Sequence, residues 1–365
     1  MPRIPSSASK YPELFYDVLF TFVLSRITKT MVFPDFGKIV WFGFFKYIML
    51  LAFFWIIWTH QVIYSSRYRE RPLVDNLFLA VNLFLVIYLS ATFTLFSSDV
   101  GQTGKLTAAA LLLSVSSQYG LAWRAKEPHA QFLAISLFTG FLVTLIAIFA
   151  GTSNAGNLLF MGATLITAIG PLILRKRLTQ ESHFSLISNR LTTFTLLICT
   201  RTTLQVMDSL NNLTLQSVLF FGSTVLMLVS YLLIVACGID QQTTRSSIYA
   251  LVLHFPLVMA LLLMASIARL FIAGRILPWN FAVWMLVMIF IFTLTIGIYL
   301  GLYRRKTVEW RGKRAFFFAF AFTLFTLYGM VTVNIRPLFL AGLCAYLIAD
   351  DLYLWQFVLS PSEIE

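Results

Sequence analysis

Apolar runs of about 20 residues, separated by short polar breaks, repeat along the whole of the 365-residue chain. That run length is what a helix needs to cross the hydrocarbon core of a bilayer. In lipid every backbone polar group must be satisfied within the protein, so a run of this kind predicts a helix and excludes an open strand. Alternation with period two over about ten residues, the pattern of a membrane barrel, is not visible. Only 12% of the residues are charged, against roughly 25% in an ordinary soluble domain. The expected fold is therefore an all-α polytopic transmembrane helix bundle.

Twelve spans are expected, at 14–33, 38–64, 73–97, 106–123, 130–150, 157–174, 187–208, 215–237, 247–273, 278–303, 315–333 and 337–360. Pro and Gly punctuate the breaks, as at Pro34, Pro72, Gly101, Pro128, Gly151, Pro278 and Pro337. The breaks are too short for a soluble domain. The opening MPRIPSSASK reads as polar and not as a secretory leader, since Glu13 and Asp17 interrupt the first apolar run. With the first residues placed inside, the inner segments collect seventeen basic residues, among them Arg67, Arg69, Arg71, Arg175, Lys176, Arg177, Arg304 and Arg305. The outer ones collect four: Lys38, Lys105, Arg275 and Arg336. The positive-inside rule then puts both termini in the cytoplasm. The net charge of +12 is explained by this topology, with membrane lipids as partners and no nucleic acid. The basic stretch near 175–183 divides the chain into six spans at 1–182 and six at 183–365, two halves of the same orientation, as in parallel-repeat transporters.

Ionisable side chains inside spans cost about 2.5–3.5 kcal/mol each on insertion scales and so tend to face a bundle interior or a cavity. Glu13 and Asp17 stand one helical turn apart on one face of the first span. The helix dipole favours acids in a first turn, which accounts for Glu13 better than for the deeper Asp17. For Asp17 the choice is between pairing with an Arg and serving a ligand or proton. Arg26 lies nine positions on, at the opposite side of the helix. Arg26, Lys46 and Arg201 fall at similar heights in their spans, so an anion among them is one expectation; lysines that snorkel to the interface are the plain alternative. Asp350 and Asp351 are adjacent on the last span and point about 100° apart. They could pair with His254, and a structural interhelical hydrogen bond is the plainer reading of each.

No HExxH, GxSxG or phosphate-binding Gly-rich loop is present. Cys199, Cys237 and Cys344 sit in apolar runs without metal-ligand spacing, as small packing residues. No catalytic residue, metal or cofactor is assigned.

Three stretches resemble the bacterial low temperature requirement A family. ELFYDVLFTFVLS at 13–25 is similar to that family's ELFFDLVFVFA-type opening signature, both acids included. LHFPLVMALLLMA at 253–265 is similar to its HLPLV-type span, and SSRYRERPLVDNL at 65–77 to its basic turn into the third span. At the seventh span, where the family reads like ERFGLFTIIVLGE, this chain has NRLTTFTLLICTR, with Asn189 for the first acid and Thr200-Arg201 for Gly-Glu. The resemblance implies a bacterial cytoplasmic membrane protein of many spans. It implies no particular reaction, because the family name records a growth phenotype.

Three functions fit. One is a transporter or flippase-like protein for an anionic or lipid-linked substrate, with Arg26, Lys46 and Arg201 as substrate contacts. Another is a membrane-embedded lipid-modifying enzyme using His60, His254, Asp350 or Asp351 as acid or base. The third is a non-catalytic sensor or assembly factor.

Overall fold

The structure, a computed structural model, describes residues 11–29, 41–69, 71–92, 101–125, 129–174, 184–207, 214–243, 245–306, 308 and 312–359. Among them are twelve α-helices: α1 (Tyr11–Lys29), α2 (Trp41–Arg67), α3 (Pro72–Thr92), α4 (Gln102–Arg124), α5 (Ala130–Phe149), α6 (Asn154–Ile173), α7 (Phe184–Met207), α8 (Leu215–Leu233), α9 (Ser247–Ile272), α10 (Pro278–Tyr303), α11 (Gly312–Thr332) and α12 (Arg336–Tyr353). Each overlaps one of the twelve expected stretches.

Eight of these helices are long and apolar enough to cross a membrane, and the chain is an integral membrane protein. The other four fall short for visible reasons. Glu13, Asp17, Arg26 and Lys29 all lie on α1, α4 and α7 are rich in Ser and Thr, and the apolar part of α11 covers only Phe316–Thr332. Large apolar side chains are exposed at helical spacing on α5 (Phe132, Ile135, Phe138, Leu142, Ile146, Phe149) and α11 (Phe316, Phe320, Leu324, Leu327, Val331). An apolar face of that kind is what lipid covers. Of the basic residues behind the expected topology, Arg3, Lys10, Lys38, Lys126, Arg175, Lys176, Arg177 and Arg311 lie outside the described residues.

The described residues fall into two compact units, one from residues 11–190 with 245–251, the other from 191–243 with 252–359. In the first, α2 packs against α1, α4 and α6 and buries Phe53, Phe54, Ile57, Trp58 and Val62 completely. Helices α4, α5 and α6 are successive neighbours. They approach closely because small residues line the contact: a Cβ at Gly140 would run into the Thr167 methyl group. Small residues at helix contacts are the usual device in membranes, where apolar burial alone gives helices no reason to associate. Hydroxyls add interhelical bonds, from Ser116 to the Ala134 carbonyl at 2.8 Å and from Ser136 to the Ile166 carbonyl at 3.0 Å. Lys105, in the first turn of α4, is fully buried and donates to the Gly151 carbonyl just past the end of α5. A cation there complements the negative end of the helix dipole.

In the second unit α8 packs on α12, α12 on α11 and α11 on α10. Aromatic stacking fills the contact, with the rings of Phe317 and Tyr353 3.7 Å apart and those of Phe325 and Tyr346 5.1 Å apart. Both α8 and α12 end in a π turn, at Ile234–Gly238 and Leu354–Val358, closed by Ile239 and Leu359 amides on the Ile234 and Leu354 carbonyls. Arg305 donates to the Ala236 and Ile239 carbonyls at 2.9 and 3.1 Å, which satisfies acceptors a helix end leaves open.

Candidate functional site

The N-terminal end of α1 carries two acids, Glu13 and Asp17, that join a cluster of charge in the first unit. Glu13 and Asp17 share a face because four residues make about one turn. Opposite them stand Arg190, in the second turn of α7, and Arg69, in the turn after α2. Arg190 donates from Nε to Asp17 Oδ2 at 2.9 Å and from a terminal nitrogen to Oδ1 at 3.0 Å, the two-pronged geometry in which a guanidinium matches a carboxylate. Its other terminal nitrogen donates to Ser65 Oγ at 2.5 Å and reaches Glu13 at 3.5 Å. Trp58 Nε1 donates to Asp17 Oδ1 at 2.8 Å, and its ring lies 5.9 Å from the Arg190 guanidinium carbon. Arg69 closes the network, donating to Glu13 at 2.6 Å and to Asn76 at 2.7 Å.

Burial grades this network. The Asp17 side chain is 3% exposed and that of Arg190 11%, whereas Glu13 retains 24%. Asp17 is therefore the dry carboxylate and Glu13 the wetter one. Close by on the same side of the unit, Tyr64 donates to Asp75 at 2.9 Å and the Arg71 amide donates to the same carboxylate. Deeper between the helices, His60 contacts the Thr167 carbonyl at 3.0 Å, and Tyr119 donates to the His60 carbonyl. Asn82 there joins Gln61 and Gln118. These groups make α2 a polar spine inside an apolar bundle.

The other expected site residues are distributed as follows. Arg26 is exposed on α1 while Asp17 is buried, which nine residues, two and a half turns, requires. Lys46 lies on α2, its side chain outside what the structure describes. Arg201 is half-buried on α7 and belongs to the second unit, so neither unit by itself holds all three cations. His254 is buried on α9, bonded at 2.9 Å to the Tyr231 hydroxyl and edge-on to the Tyr299 ring. Asp351 takes the Ser230 hydroxyl at 2.5 Å, and Asp350 interacts with the Tyr346 hydroxyl. The contacts seen for the two acids run from α12 to Ser230 of α8 and to Tyr346 in their own preceding turn.

Sequence reasoning missed Arg190, Arg69, Trp58 and Ser65 as members of one network. Arg69 was absorbed into the basic count that sets topology. Arg190 carried a usable signal, since it stands near the start of the seventh span at the depth of the two acids of the first.

The network draws on three stretches that carry motifs: Glu13 and Asp17 from 13–25, Ser65, Arg69 and Asn76 from 65–77, and Arg190 from 189–201. No curated protein and no solved structure matches the chain. The sequence profile described as bacterial low temperature requirement A protein (LtrA) matches residues 8–349, nearly the whole length and all three of these stretches, so the chain belongs to the bacterial low temperature requirement A family.

Proposed function

We propose that the protein is a transporter or flippase-like protein of the cytoplasmic membrane that moves an anionic or lipid-linked substrate. In this reading all twelve helices cross the bilayer and both termini are cytoplasmic, which the basic asymmetry of the sequence supports. Its two sets of six helices work as two halves. The observation that carries the reading is the network of Glu13, Asp17, Arg69 and Arg190. Stability alone does not call for it, because a buried ion pair contributes no more than well-packed apolar residues of similar volume. Charges kept at such cost among membrane helices mark pathways and relays. A set of ion pairs that can be exchanged also supplies a two-state element of the kind alternating access needs.

Asp17 is the coupling group in this scheme, and Arg190 the cation that holds it in the closed arrangement. Arg26, Lys46 and Arg201 are the groups assigned to the anion of the substrate in this scheme; Arg26 is exposed and Arg201 partly exposed.

Proteoliposomes test this directly. Vesicles containing the protein and a trace of fluorescent phosphatidylglycerol should show probe movement between leaflets faster than protein-free vesicles, read by dithionite quenching. Asp17→Asn should slow it at least tenfold, and Arg201→Gln should slow it for the anionic probe more than for a phosphatidylcholine probe. Movement equal to that of protein-free vesicles for both probes would overturn the reading.

A further inference from the structure

The second unit contains a cavity of about 480 Å³ lined by α8, α10, α11 and α12, within the usual range for small-molecule sites, roughly 300–1,000 Å³. Its wall is almost wholly apolar, with the rings of Phe290, Phe292, Phe318 and Phe322 prominent. Ser230, Thr293 and Asp350 are the polar side chains that line it. Phe290, Leu294 and Ile298 line the cavity and are also exposed, so it opens sideways onto an apolar face of α10. The first residue of each π turn, Ile234 and Leu354, forms part of the wall. Such turns are frequent at functional sites.

Asp350 makes this cavity unusual. It is 5% exposed, and its Oδ1 atom is buried without a hydrogen-bond partner. Neighbouring Asp351 is not part of the lining and accepts the Ser230 hydroxyl, since adjacent helical residues diverge by about 100°. Among the described residues no Lys, Arg or His lines the space. A carboxylate in such surroundings is costly unless a cation joins it, and the aromatic faces around it favour one too.

We infer that this cavity binds a lipophilic amine, one cationic nitrogen on a hydrocarbon body, which enters from the apolar side and places its nitrogen on Asp350. The carboxylate supplies charge and hydrogen-bond recognition, the rings of α10 and α11 hold the hydrocarbon, and Thr293, bonded to the Tyr346 hydroxyl at 3.3 Å, fixes the polar wall. This inference does not depend on transport, since it concerns a site that exists whether or not substrate crosses.

The test uses the full chain in phosphatidylcholine nanodiscs and a diazirine-bearing tetradecylamine, with its matched alcohol as control. Photolabelling followed by peptide mass spectrometry should place the amine on residues 290–302 and 318–322. Labelling should saturate and be displaced by unmodified dodecylamine. Affinity should fall at least tenfold in Asp350→Asn and at least tenfold for the alcohol. Ala319→Trp, on an exposed face of α11 at the cavity wall, should abolish labelling while leaving the unfolding midpoint unchanged, and it keeps the test decisive should Asp350→Asn fail to fold. Equal labelling by amine and alcohol would overturn the inference. So would full amine affinity in a folded Asp350→Asn protein, or labelling that Ala319→Trp does not alter.

Discussion

Arg190 grips Asp17 through two parallel hydrogen bonds of 2.9 and 3.0 Å, although 173 residues separate them in the chain. The bond joins the first helix to the seventh, and Trp58 of α2 adds a third donor to the same carboxylate. Removing one member leaves the other charge buried, which costs about 3–5 kcal/mol for a pair of this kind. Asp17→Leu and Arg190→Met are each expected to lower the unfolding midpoint sharply in detergent. The double variant should recover more than half of the larger loss, because neither charge is then stranded. A double variant no better than the worse single would show that the two residues are not coupled. If the double variant folds yet moves no lipid probe, the charges serve function and not the fold.

Lys105 offers a second test. It counts among the few basic residues expected on the outer side, yet it is fully buried against the turn that follows α5. Lys105→Met should destabilise by about 1.5–3 kcal/mol, the range for a hydrogen bond to a charged group, without altering orientation. Arg275→Met, in a turn and exposed, should leave stability within about 0.5 kcal/mol. Unfolding midpoints of the two variants, side by side, decide it; equal midpoints would remove the structural role of Lys105.

Close packing of α5 on α6 predicts a specific rescue. Gly140→Ala drives a new methyl into the Thr167 Cγ2 atom, and overpacking of this kind costs about 1–3 kcal/mol. Thr167→Ser removes that methyl and keeps the hydroxyl and the carbonyl that meets His60. The double variant should therefore unfold at a temperature nearer to the parent than Gly140→Ala does. Additive losses would show that the contact lies elsewhere.

Topology is testable at two exposed loop positions, Thr152 after α5 and Gln242 after α8. In a background lacking Cys199, Cys237 and Cys344, a cysteine at 152 should react with an impermeant maleimide added to intact cells. One at 242 should react only after the membrane is opened. The reverse pattern would invert the proposed orientation.

Helix type and position were legible because they depend on local properties: run length, apolar content and Pro or Gly breaks act within about 20 residues. So was the shared face of Glu13 and Asp17, and the opposed placement of Arg26, since both follow from helix pitch alone. The family, too, could be read from motif stretches.

Partner choice was not local, and only the tertiary structure decided it. Nothing within a single span says that Arg190 meets the acids of α1, that Asp351 turns to Ser230, or that His254 turns to Tyr231. The depth of each residue in its span narrows the candidates. Which side chains then touch depends on how each helix is rotated and on which helices are neighbours, and both are set by close packing at positions such as Gly140. The cavity beside Asp350 is the extreme case, for a void is made by four helices together and is written in none of them.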